Sequence, residues 1–222
     1  HSAFQWSGIS GTLVIPDGIT EIKDNTFYEC KNLMGIKLPK MLDSIGKNAF
    51  RGCSSLQGNL RLPDKLMAIE EGAFYACSGL TGLTLGSELY SIGSWSFHGC
   101  TDLQGNIVFG EEVMTIGDCA FDSCEGVSAF CFLGHAPEAY KGSFPKNAII
   151  RYIEGKSGWK TGILMSWKDH TLETWDGRFV KPIDEDETPG IPDTSIYDEE
   201  TTSRTAFRIY ASGADPLNPP CG

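Results

Sequence analysis

A repeat constrains this chain more than any other feature. Phe-x-x-Cys occurs at Phe27/Cys30, Phe50/Cys53, Phe74/Cys77, Phe97/Cys100 and Phe121/Cys124, in steps of 23, 24, 23 and 24 residues. Other columns keep the same register. Ile22, Ile45, Ile69, Ile92 and Ile116 lie five residues before each Phe, and Ile19, Leu42, Leu66, Leu89 and Val113 lie eight before. After the Cys come Leu33, Leu56, Leu80, Leu103 and Val127, and an incomplete earlier copy shows in Ile9, Leu13 and Ile15. A unit this short cannot bury its own apolar side, so successive units must stack and share one continuous core.

Each unit also carries an alternating triplet, such as Ile36-Lys37-Leu38, Leu83-Thr84-Leu85 or Phe130-Cys131-Phe132. Alternation sends two side chains inward and one outward, as in a short strand with one buried face. Pro16, Pro39, Pro63, Gly86, Gly110 and Gly134 then end the strand, because Pro donates no ladder bond and Gly favours a turn. The 24-residue steps arise from one extra residue just before the strand, at Gln57-Gly58-Asn59 and Gln104-Gly105-Asn106, where a turn can absorb it. With paired strands about 4.8 Å apart, six coils make a rod about 25 to 30 Å long. The expected fold is a β-rich, right-handed solenoid of short parallel strands.

The order Leu-x-x-Ile-x-Leu-Pro, then Leu-x-x-Ile-x-x-x-Ala-Phe-x-x-Cys, is clearest in the copy running from Leu33 through Pro39, Leu42, Ile45, Ala49 and Phe50 to Cys53. It resembles the BspA-like leucine-rich repeats of bacterial surface proteins over about residues 9 to 134. The resemblance implies a leucine-rich-repeat solenoid that is secreted or held at the cell surface, and a role in protein binding and adhesion. Arg151-Tyr152-Ile153-Glu154-Gly155-Lys156-Ser157-Gly158-Trp159 and Trp175-Asp176-Gly177 look like the usual end of such arrays. The expected organisation is therefore a solenoid over 1–134, a non-repeat C-terminal cap over 135–181 and a tail or linker over 182–222. Trp159, Trp167 and Trp175 are expected to cover the last coil, and the segment 205–211 alternates well enough for one more strand.

Five of the eight cysteines occupy one column and are expected to form a buried ladder of free thiols. Cys119, Cys131 and Cys221 fall outside it and are free to pair, with a connectivity that spacing does not reveal. A linear ladder does not supply the convergent tetrahedral geometry of a zinc site. Asp184-Glu185-Asp186-Glu187 lacks the spaced pattern of a calcium loop. No cofactor or metal site is expected. His1, His98, His135 and His170 sit in no triad or metal motif, and the nucleophile, zinc-protease and phosphate-loop signatures are absent, so no catalytic residue is assigned.

The formal net charge is -11, and from Pro182 onward nine acidic residues face two basic ones. Nothing here would neutralise phosphates, so a nucleic-acid partner is disfavoured. No stretch reaches the roughly 18 apolar residues of a membrane-spanning helix. Two outer columns are candidate binding surfaces: the strand-outward Lys37, Arg61 and Thr84, and a ledge of Tyr28, Tyr75 and His98 beside Trp95. Ordinary surface residues would look the same. Three functions fit: a monomeric module that binds a host or bacterial surface protein, a carbohydrate-binding module supported by the aromatic ledge, or an accessory array of a larger secreted enzyme.

Overall fold

The computed structural model describes residues 2–140, 142–159 and 170–177, and among these there is no helix. The chain winds as a solenoid of parallel strands. One side carries the longer strands β1 (Gly11–Val14), β3 (Leu33–Lys37), β5 (Gly58–Arg61), β7 (Leu80–Thr84), β9 (Gly105–Phe109), β11 (Val127–Phe132), β13 (Ile149–Ile153) and β14 (Thr171–Trp175). The other carries two-residue strands: β2 (Glu21–Ile22), β4 (Ser44–Ile45), β6 (Ala68–Ile69), β8 (Ser91–Ile92), β10 (Thr115–Ile116) and β12 (Glu138–Ala139). These short strands form one unbroken six-stranded sheet in which each Ile pairs with the Ile of the next coil, ending at Ala139.

The expected interior columns lie inside. Phe27, Phe50, Phe74, Phe97 and Phe121 are buried with the Ile column and with Leu42, Leu66, Leu89 and Val113. Ile19 is the exception at 41% exposure. The Phe rings stack along the rod at centroid spacings of 5.1 to 5.3 Å from Phe27 to Phe121. Phe4 extends the stack at one end (5.4 Å) and Phe144 at the other (6.0 Å). The Phe column therefore runs on by one coil into the 135–181 segment.

Each ladder thiol has a defined partner. The Sγ of Cys30, Cys53, Cys77, Cys100 and Cys124 donates to the carbonyl of Phe4, Phe27, Phe50, Phe74 and Phe97, at 3.1 to 3.3 Å. Neither these five thiols nor that of Cys119 forms a disulfide. Burial pushes the Cys53 and Cys124 thiols up to about 12 and those of Cys77 and Cys100 well above the ordinary value. A thiol that keeps its proton acts here as a small hydrophobe with one useful donor.

The long-strand side is broken where the short-strand side is not. Its ladders are β1–β3, β5–β7 and β9–β11–β13–β14. Gly11, Gly58 and Gly105, which open the first strand of each ladder at φ of 74, 80 and 75°, recur every 47 residues. The extra residue before Gly58 and Gly105 displaces the incoming strand from the one before it. Gln57 N–H to Met34 O (3.0 Å) and Gln104 N–H to Thr81 O (3.2 Å) are the backbone bonds left at the two breaks beside the strands.

Outside the last ladder sits a second apolar cluster of Ala129, Cys131 and Trp175, flanked by Val108, Ile149 and Ile153. Cys131 was expected to point outward, which it does, but its side chain is fully buried and disulfide-bonded. The outward column is thus a solvent face only in the earlier coils. Trp159 does close over the core: it stacks on Tyr152 at 5.1 Å and its Nε1 donates to the Gly134 carbonyl. Trp175 instead belongs to the outer cluster. Trp167, Cys221, His1, the acidic run at 184–187 and the strand expected at 205–211 lie outside the described residues.

Candidate binding surface

The turn that carries the Phe column also fixes the ledge. Its backbone must direct N–H groups at the next coil, as in Asn25 N–H to Lys47 O, Asn48 N–H to Glu71 O and Gly72 N–H to Ser94 O, each 2.9 Å. That geometry places the residue two before each Phe on left-handed backbone, with φ of 57, 55, 53, 64, 55, 52 and 68° at Ser2, Asn25, Asn48, Gly72, Trp95, Cys119 and Gly142. Asn and Gly tolerate this conformation, whereas a bulky side chain costs roughly 1–2 kcal/mol. Trp95 bears that strain with its ring 41% exposed. The fold alone gives no reason for a Trp there.

One residue after each Phe, the ledge column is a stacked series rather than a set of independent side chains. The Arg51 guanidinium lies 3.8 Å over the Tyr75 ring. Tyr75 stacks on His98 at 4.9 Å, and His98 Nδ1 is 3.2 Å from Asp122 Oδ2, within ion-pair range but not aligned for a directed hydrogen bond. At the N-terminal end, Trp6 meets Tyr28 edge-on at 5.6 Å. Arg51, present in the column but not picked out from sequence as an anchor, is the piece that joins the run. Its signal was positional, since cation–π pairing needs an Arg one coil from an aromatic.

Lys37, Arg61 and Thr84 lie elsewhere, on the outer face of the long strands. Lys37 is exposed and Arg61 half-exposed, while Thr84 exchanges hydrogen bonds with the Asn59 amide. The two candidate columns therefore do not merge into one patch. Between them, on the turn from ledge to strand, runs an open groove of about 780 Å³ that crosses five coils. Asn32, Ser54, Ser55, Gln57, Thr81 and Asp102 line it with hydroxyl, amide and carboxylate groups, beside the exposed Met34. The inserted residue that breaks the ladder lies in this lining, and the sequence gives no sign that the insertion opens a groove.

Among the described residues, the five buried thiols donate to backbone carbonyls rather than to a base, which is not an arrangement for nucleophilic attack. His135 does accept from Ser157 N–H and lies 2.7 Å from its Oγ, but both residues are exposed. Among the described residues, no group of three or more His, Cys, Asp or Glu is placed to hold a metal ion. No helix there is long and apolar enough to cross a membrane.

The model of the BspA type leucine rich repeat region matches residues 1–135 in six copies. This chain belongs to that family. Solved structures similar to this BspA-type chain include a T. pallidum leucine rich repeat protein, 23% identical over 66% of this chain and 75% of that one, with a TM-score of 0.47. A leucine-rich repeat protein from Bacteroides ovatus is 22% identical over 72% of this chain and 54% of its own, with a TM-score of 0.40. A leucine rich cell surface protein from Faecalibacterium prausnitzii is 17% identical over 75% of this chain and 60% of its own, with a TM-score of 0.44. This chain thus spans less than two thirds of the latter two. No curated protein matches it.

Proposed function

We propose that the chain is a non-catalytic, secreted or cell-surface module that captures a protein partner along the ledge, as an adhesion or interaction element. The observation that carries this reading is Trp95, an exposed aromatic held on left-handed backbone in a column where Asn or Gly would relieve the strain. The turn itself imposes the left-handed backbone, as Ser2 and Cys119 in the same column show, so the informative choice is an exposed indole at a strained position. Tyr75, clamped between Arg51 and His98, is already ordered and loses little rotamer freedom when a partner covers it. Aromatic and Arg anchors of this type dominate interface energies.

A second reading, carbohydrate binding, is favoured by the hydroxyl- and amide-lined groove and by the aromatic residues of the ledge. The experiment is a pull-down from host or bacterial surface extracts, run beside a glycan array, with Tyr28→Ala, Tyr75→Ala, Trp95→Asn and His98→Ala. Lys37→Glu, Arg61→Glu and Thr84→Lys report on the strand face, and Cys119→Ser serves as a control. Protein capture that weakens in the ledge variants and survives Cys119→Ser supports the proposal. Array binding lost with Trp95 selects the carbohydrate reading. Turnover of a peptide, ester or glycoside that vanishes with Cys119 or His98 overturns both.

A further inference from the structure

A different surface carries the next step. Seven residues before Phe74, Phe97 and Phe121 stand Met67, Tyr90 and Met114, exposed at 52, 53 and 50%. Other coils place Thr20, Asp43 and Pro137 in this column, so the solenoid does not require an apolar side chain there. Single exposed apolar residues are ordinary, but three in successive coils form a stripe. Backbone bonds from Tyr90 N–H to Met67 O and from Met114 N–H to Tyr90 O, both 2.9 Å, hold them side by side.

The stripe is bounded by acid. Asp43 stands in the same column at one end, and at the other Glu138, next to the column's Pro137, bonds Met114 O through its backbone N–H. Glu112 stands two residues before Met114 and is exposed, with no ion-pair partner among the described residues. Of the cations on that side, Lys65 is engaged with Glu88, and Lys40 lies beyond the Asp43 end. An occupant must therefore be apolar on one face and cationic at its flanks. The acidic stretch from residue 182 has the wrong charge for this role.

Spacing narrows the choice further. Beside the stripe β6, β8 and β10 are paired in parallel, about 4.8 Å apart. A helix laid along the rod advances about 5.4 Å per turn, so apolar residues at i, i+4 and i+7 keep step with three coils. An extended strand offers same-face residues about 6.6 Å apart and drifts out of register. Met side chains adapt readily to such a partner. We infer that Met67, Tyr90 and Met114 form a docking stripe for a cationic amphipathic helix.

The test uses the full chain labelled at its five methionine methyl groups. The probe is a Leu/Lys peptide of about four helical turns with Leu at i, i+3, i+4 and i+7. Its controls are a scrambled peptide of the same composition and a Leu/Glu version. The expected result is saturable shifts at Met67 and Met114, with Met34, similarly exposed but off the stripe, unmoved. Replacing Met67, Tyr90 and Met114 together with Thr should weaken binding at least about tenfold, and Glu112→Lys about threefold. An equal shift at Met34, equal binding of the scrambled or Leu/Glu peptide, or unchanged affinity of the triple variant overturns the inference. So does a stripe that shifts with phosphatidylcholine vesicles and not with the peptide.

Discussion

Phe74 and Tyr75 are neighbours on the chain, yet they belong to two regions governed by different rules. At the inner position every coil from the first to the seventh presents Phe, and those between the ends are buried, stacked on rings above and below. At the next position the coils present Tyr28, Arg51, Tyr75, His98 and Asp122, all half-buried. The inner column is uniform because the coil spacing admits one shape. The outer column is free of that demand, so its particular series of cation, aromatic and acid carries information that the fold does not need. Uniform columns report architecture, and irregular ones are where recognition can be written.

The comparison breaks if the two columns respond alike to truncation. Phe74→Ala should lower stability by about 3–5 kcal/mol, since coils on both sides prevent collapse onto the void. Tyr75→Ala should cost less than about 1 kcal/mol, chiefly its contacts with Arg51 and His98. Denaturant unfolding of the two variants measures both, and comparable losses would mean that the ledge is structural.

The thiol ladder sharpens the interior side. In the unfolded chain these thiols titrate near the ordinary 9.0, whereas Cys53 and Cys124 hold their protons to about 12 when folded. Between those values the folded state binds more protons, so stability falls as pH rises, and below 9.0 the term vanishes. Each thiol should contribute a loss of about 1.4 kcal/mol per pH unit within that window. Cys53→Ser should make the decline shallower by one proton, as read from unfolding free energies between pH 8 and 11. An unchanged slope would mean that this thiol ionises in place. Among the described residues six cysteines carry no disulfide and Cys131 does, so denaturation without reductant should release at least six titratable thiols.

Much of this was legible because periodicity is redundant: Phe, Ile, Leu and Cys each reported the same register. The αL column was not, since Asn25, Asn48 and Gly72 signal a turn but Trp95 and Cys119 in the same slots hide it. Phe144 lies 23 residues after Phe121, yet Asn147 stands where a Cys would confirm the copy. The buried outer face at Cys131 depends on Ile149, Ile153 and Trp175, which arrive from strands with no repeat signature. The broken ladders follow from an insertion that is visible in the spacing, but its effect on pairing is a matter of three-dimensional register. Stacking of Arg51 on Tyr75 on His98 requires knowing that adjacent coils align these side chains, which a column of dissimilar residues does not announce.

Trp95→Asn tests the central claim most directly, because it gives the column the residue that Asn25 and Asn48 supply in their own coils. Relief of the left-handed strain should raise stability by about 1 kcal/mol, while loss of the indole anchor should weaken partner capture by about tenfold or more. Unfolding and surface-extract capture are to be measured on the same preparation. A more stable variant that binds less is the predicted result. A variant that binds as well as the parent, or one that loses binding only because it loses stability, would contradict the account.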